Sequence, residues 1–167
     1  MSPLTLACLI LIGDPTGDAR EPLADRSPER ARQVAEVTAL VNEYRKSKNL
    51  VEVKVNAKLT NSADWMARDL SIENYFGHTD SLKRSPAKRA EAFGYKGWTT
   101  VCENIAGGAD NPKEAMEMWI DSPGHRKNLE NPDVREIGVG YAFSPTSKYK
   151  KYWVQIFGAR AEWAQGD

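Results

Sequence analysis

The chain predicts an α+β domain, with about four helices packed on both sides of a small antiparallel sheet. Three observations carry this. Through the first two-thirds, apolar residues recur at 3- and 4-residue steps, the period of amphipathic helices. From Glu136 onward they alternate or crowd as β-branched and aromatic residues, as strands do. The two late strands, Glu136 to Tyr141 and Tyr152 to Phe157, are joined by a short segment around Ser144-Pro145-Thr146-Ser147. That reads as an antiparallel hairpin, and helices need both of its faces to bury their stripes.

At 167 residues the chain has the size of one domain. Hydrophobic content of 41% and charged content of 28% are ordinary for a soluble globular protein. Lys plus Arg equals Asp plus Glu, 23 each, which gives no footprint for nucleic acid or an anionic membrane. The basic clusters Lys83/Arg84/Lys88/Arg89 and Lys148/Lys150/Lys151 read as solvated faces. Cys8 and Cys102 make no disulfide framework, and Cys102 reads as a buried small hydrophobe.

Leu4 to Ile12 is apolar except for Thr5, and too short to span a bilayer. It matches the apolar region of a secretory signal peptide, with Gly17-Asp18-Ala19 as the cleavage site and a mature start near Arg20. Met-Ser-Pro lacks the basic residue of such a leader, and a packed terminal strand is the other reading. The expected organisation is a signal peptide over 1–19, a linker over 20–30, a domain over 31–160 and a tail over 161–167, with no transmembrane segment.

The first helix runs from Ala31 to Lys48, with Val34, Val37, Val41 and Tyr44 on one stripe and Ser27-Pro28 as cap and first turn. Leu50 to Val55 alternates as a short strand. Leu59 to Ile72 forms the second helix, with Leu59, Ala63, Met66 and Leu70 facing inward and Asn61 or Thr60 as its cap. Asn74 to Asp80 is a packed loop carrying aromatics and His78. Ser85-Pro86 opens a third, short helix that ends near Phe93-Gly94. Thr99 to Gly108 is extended and apolar but interrupted by Glu103-Asn104; Glu103 either turns to water or is held inward. Asn111-Pro112 caps the fourth helix, whose core face is Ala115, Met116, Trp119 and Ile120.

The stretch from Trp119 to Tyr141 changes character three times. Pro123 ends the fourth helix at Ser122, and Gly124 supplies the positive φ of a type II turn. His125 then sits on a constrained corner, either as a functional group or as a histidine near a helix's negative end.

His78, Glu103 and His125 are thus the candidate site residues, all at ends of elements. Their spacing is not that of a compact metal motif. Two imidazoles and a carboxylate suit a zinc-like cation with an open position, and also acid–base chemistry. There is no Gly-x-Ser-x-Gly elbow and no phosphate-cradling glycine loop. Plain packing, with Glu103 accepting hydrogen bonds from the histidines, is the structural alternative.

VNEYR at 41–45, NYFGHTD at 74–80, CENIAGG at 102–108, MWIDSPGHRKNLENPDVREIGVGYA at 118–142 and YWVQIFG at 152–158 follow one another in order. In these motifs, across roughly residues 33–160, the chain resembles the CAP superfamily: cysteine-rich secretory proteins, antigen five and plant pathogenesis-related proteins, which share the SCP domain. The SPGHR form is similar to the bacterial branch. The resemblance implies an α-β-α sandwich and a central cleft with two histidines, His78 and His125, and an acid, Glu103. The family's second acid lies three residues after the helix tryptophan, where this chain has Ser122; Asp121 and Glu136 are the substitutes. The disulfides of eukaryotic relatives have no counterpart.

By the same resemblance, His78 and His125 are the ligands of a Zn2+ ion, and the cleft takes an extended peptide, lipid or glycan. The favoured reading is a secreted or cell-envelope binding module, not an enzyme. One alternative is a hydrolase using Glu103 and His125. The other is an envelope interaction domain with a vestigial cleft.

Overall fold

The computed structural model describes residues 27–161. The expected signal peptide and most of the linker and tail lie outside them. The elements are α1 (Pro28–Ser47), β1 (Lys54–Val55), α2 (Ala57–Ile72), α3 (Pro86–Ala92), β2 (Trp98–Gly107), α4 (Pro112–Asp121), α5 (Pro123–Leu129), β3 (Glu136–Phe143) and β4 (Lys151–Arg160). The α+β class holds, with five helices in place of about four.

The sheet has the order β1-β3-β4-β2. β2, β4 and β3 are antiparallel, with Asn104 opposite Gln155 and Val139 opposite Gln155 on the other side. β1 shrinks the expected Leu50–Val55 strand to two residues and pairs parallel with β3, so the sheet is mixed at one edge.

Side-chain alternation sorts the core into two layers. Cys102 and Ala106 of β2, Ile137 and Val139 of β3, and Trp153 and Phe157 of β4 meet Val37 and Val41 of α1 and Met116 and Trp119 of α4. On the opposite face, Val101, Ile105, Val154 and Ile156 meet Leu59, Ala63, Met66 and Leu70 of α2. The α2 stripe is the one the spacing predicts.

α2 lies almost on the backbone of β3. A Cβ added at Gly138 would meet the Leu59 carbonyl carbon at 2.1 Å, and one at Gly140 the Ala63 carbonyl carbon at 2.3 Å. Only residues without side chains fit there.

Helix ends follow local chemistry where Pro marks the first turn. Ser27 caps Arg30 N–H, Ser85 caps Lys88 N–H, and Asn111 caps Glu114 N–H. α1 therefore starts at Pro28, inside the expected linker. The cap of α2 is Asn56, not Asn61 or Thr60; its Oδ1 accepts from Lys58 and Leu59 N–H at 2.9 and 3.4 Å. Arg45 of α1 is fully buried and donates to the carbonyls of Val51, Leu129 and Asn131 at 2.8, 2.8 and 3.0 Å. It ties the end of α1 to the end of α5.

The Pro123-Gly124 pair is not a type II turn. Ser122 is extended, as the proline requires, but Pro123 and Gly124 open α5 in helical geometry. Gly124 is absent from the positive-φ glycines, which are Gly94, Gly97 and Gly108 among the described residues. Pro at a first helical position loses no needed N–H, so a new helix begins where a turn was expected.

Candidate functional site

β2 is an edge strand, and the site straddles that edge. Glu103 and Asn104 are consecutive, so they point to opposite faces. Glu103 turns toward α3 and the 74–80 loop, and Asn104 toward α5. Both are buried, at 5% and 0% exposure, so each polar head must find partners on its own face.

On the first face, Glu103 Oε1 lies 2.9 Å from His78 Nδ1. Arg89 Nη2 donates to the other oxygen, Oε2. A carboxylate only accepts, so His78 Nδ1 carries the proton and Nε2 keeps the lone pair when the ring is neutral. The His78 side chain is about half exposed while that of Glu103 is 1% exposed. The imidazole thus reaches solvent and the carboxylate supports it from below.

On the second face, the Asn104 amide donates to the His125 carbonyl at 3.1 Å and to Gln155 Oε1 at 3.2 Å. Asn128 donates to Asn104 Oδ1 at 2.8 Å and to the Glu103 carbonyl at 3.2 Å. These bonds fasten α5 along the outer edge of β2. They place His125 in the first turn of α5, the positive end of a helix, which corrects the expectation of a negative end. Burial lowers the pKa of His125, and the charge of nearby His78 lowers it further. His125 Nδ1 is buried without a hydrogen-bond partner.

The other expected acids lie elsewhere. Glu136 accepts from Asn56 Nδ2 at 2.8 Å, Tyr95 Oη at 2.7 Å and both Arg160 Nε and Nη2 at 3.0 and 2.8 Å. It is a latch between β3, β4 and the start of α2. Asp121 is exposed at the last residue of α4. The structure therefore joins His78 to Glu103 and sets His125 within the field of His78, and it adds neither Asp121 nor Glu136.

The solvated-face reading of Arg84 and Arg89 is overturned. Arg89 is fully buried, and Arg84 is mostly buried with its guanidinium 4.4 Å from the Trp65 ring. Arg89, Asp80, Asn104 and Asn128 are the site residues that sequence reasoning missed. One signal was present: two adjacent polar residues inside an apolar strand demand a partner on each face.

Among the described residues, no three His, Cys, Asp or Glu side chains converge so as to hold a metal. Glu103 is committed to Arg89 and His78. That leaves the imidazoles of His78 and His125 as the expected site donors not tied up by the Arg89 pair.

A model of the cysteine-rich secretory protein family, CAP, matches residues 38–157. YkwD of Bacillus subtilis is 36% identical over 121 residues, 72% of this chain and 45% of that protein. The membrane protein YlbC of the same organism is 30% identical over 122 residues, 73% and 33% of the two chains. The chain thus spans less than half the length of the curated relatives it matches. An extracellular SCP-domain protein of Bacillus anthracis superposes with a TM-score of 0.70 at 26% identity, over 78% of this chain and 41% of that one. An outer surface protein of Borrelia burgdorferi gives 0.70 at 22% identity, over 77% and 93%, which shows the shared fold.

Proposed function

The chain is a member of the cysteine-rich secretory protein (CAP) family, and from that premise we propose that it is an extracytoplasmic binding module. Its cleft, along the outer edge of β2, takes a divalent cation through His78 and His125 and an extended polar ligand beside it. The observation that carries this reading is the His78–Glu103 bond at 2.9 Å. A buried carboxylate that fixes one ring nitrogen and leaves the other to solvent is the usual support for a metal-binding histidine. The unpartnered Nδ1 of His125 and its lowered pKa favour a second neutral imidazole there.

Zn2+ held by these two side chains would supply a Lewis-acidic centre for an oxygen of the ligand. The ligand class, whether peptide, lipid or glycan, belongs to the same proposal. An extracytoplasmic setting is supported by the extracellular protein of Bacillus anthracis, and no helix among the described residues is long and apolar enough to cross a membrane. Glu103 is poorly placed as a general base, because both oxygens are engaged and its side chain is 1% exposed.

Calorimetric titration of zinc into the full chain at about pH 7.5, where imidazole is neutral, tests the proposal. Saturable binding is expected, and its loss in His78→Ala/His125→Ala. Binding that survives the double variant, or none in the wild type, removes the cation from the reading.

A further inference from the structure

Arg89 exposes no side-chain surface, yet it touches the groups that hold His78. Its Nη2 donates to Glu103 Oε2. Its Nη1 donates to the His78 carbonyl at 3.5 Å and stands 3.7 Å from Asp80 Oδ2. Asp80, 2% exposed, is gripped in turn by Arg84, through Nε at 2.8 Å and the backbone N–H at 2.7 Å. Alternating charges therefore run from Arg84 through Asp80, Arg89 and Glu103 to His78, with Asp80, Arg89 and Glu103 buried between a partly exposed Arg84 and a solvent-reaching ring. A buried carboxylate without such partners would be very costly. The partners do more than neutralise it, because they also choose its orientation.

We propose that Arg89 is a positioning residue for the His78 tautomer, a role that rests on the two-imidazole cleft and deepens it. By claiming Oε2, Arg89 fixes the carboxylate so that Oε1 faces Nδ1. The proton is then kept on Nδ1, and the lone pair of Nε2 is presented to the cleft. Asp80 and Arg84 hold the guanidinium in register from behind.

Glu103→Gln separates this role from simple packing. The amide has nearly the same shape, but only one of its two heads accepts a hydrogen bond. With Arg89 in place the guanidinium takes the amide oxygen. The NH2 then faces His78 and donates to Nδ1, and the ring proton must sit on Nε2.

The tautomer is read from imidazole 15N shifts in the metal-free full chain at about pH 8.5, two units above the ordinary histidine value. Nδ1–H is expected in the wild type and Nε2–H in Glu103→Gln. Adding Arg89→Met frees the amide to turn, and the Nδ1–H form returns. Nδ1–H retained in Glu103→Gln overturns the proposal, as does one tautomer common to the single and double variants. If loss of Arg89 unfolds the protein, Glu103→Gln still decides, because it changes almost no volume.

Zinc titration of the same proteins keeps the two readings apart. A flipped tautomer in a protein that never binds zinc supports Arg89 and removes the metal. Where zinc does bind, Glu103→Gln is expected to weaken it by roughly 10- to 100-fold. Zinc bound by a protein whose tautomer ignores the substitution removes Arg89 and leaves the metal.

Discussion

The surroundings of His125 disfavour its charged form, and the fold must register this in its response to acid. An unfolded histidine titrates near pH 6.5. In the folded chain the value is lower, first because burial disfavours the imidazolium and then because His78 adds like charge. Between the two values the unfolded state binds more protons, so stability rises with pH through that window. The contribution of His125 is complete above the unfolded value and is lost as pH falls toward the folded one. Urea midpoints measured from pH 7.5 down to 5.5 are expected to fall in the wild type and to flatten in His125→Gln. Parallel curves for the two proteins would sink this account. His78, Glu103 and His125 were legible as candidates because each is a polar group that interrupts or follows an apolar pattern, inside a recognisable motif. Arg89 was not. In the run Lys83 to Arg89 it looks like any solvated base, and what buries it is a carboxylate on a strand that only the folded chain brings near.

At the scale of elements, glycine decides two packings in opposite senses. Gly138 and Gly140 alternate with Ile137, Val139 and Tyr141, so the strand's apolar side was readable and its bare side looked empty. It is instead where α2 lies closest, with backbone atoms 2.1–2.5 Å from any added Cβ. Backbone cannot move aside as a side-chain tip does. Gly138→Ala and Gly140→Ala are each expected to cost about 3 kcal/mol or more in urea unfolding. Gly124 has nothing within 4 Å and sits in helical geometry at the start of α5. Gly124→Ala is expected to stabilise by about 0.5–1 kcal/mol. A clear loss at that position would instead indicate the positive φ of a turn. Caps beside a proline were legible because Ser or Asn before Pro is a local signal. A short strand over Leu50–Val55 was legible too, but its bounds were not, since the two residues of β1 are defined by pairing with Glu136 and Ile137.

For the whole molecule, the order of helices and strands was enough to imply two helical layers around one sheet. The strand order was not implied, because it depends on which helix covers which face. The β2 edge ends up protected, while at the other edge β1 pairs with only the first two residues of β3. β1 is two residues long, and α5 covers β2 through the Asn128 bond to the Glu103 carbonyl. This architecture carries no cross-link among the described residues, where Cys102 is a free thiol. Its stability must come from the two apolar layers and from buried polar ties such as Arg45. Burial pushes the Cys102 pKa up to about 12, more than the nearby Arg45 charge lowers it. Thiolate, the reactive form, is therefore scarce at neutral pH, by on the order of a thousandfold against an exposed cysteine. The thermal midpoint is expected to be unchanged by dithiothreitol. Cys102 is half-buried, so site-resolved mass spectrometry after iodoacetamide should find it modified far more slowly in the native protein than in urea, through its scarce thiolate. Native modification as fast as in urea would mean that the thiol is not held in its protonated form by its surroundings. A midpoint lowered by reductant would mean that a disulfide, and not these two layers, sets the stability of the chain.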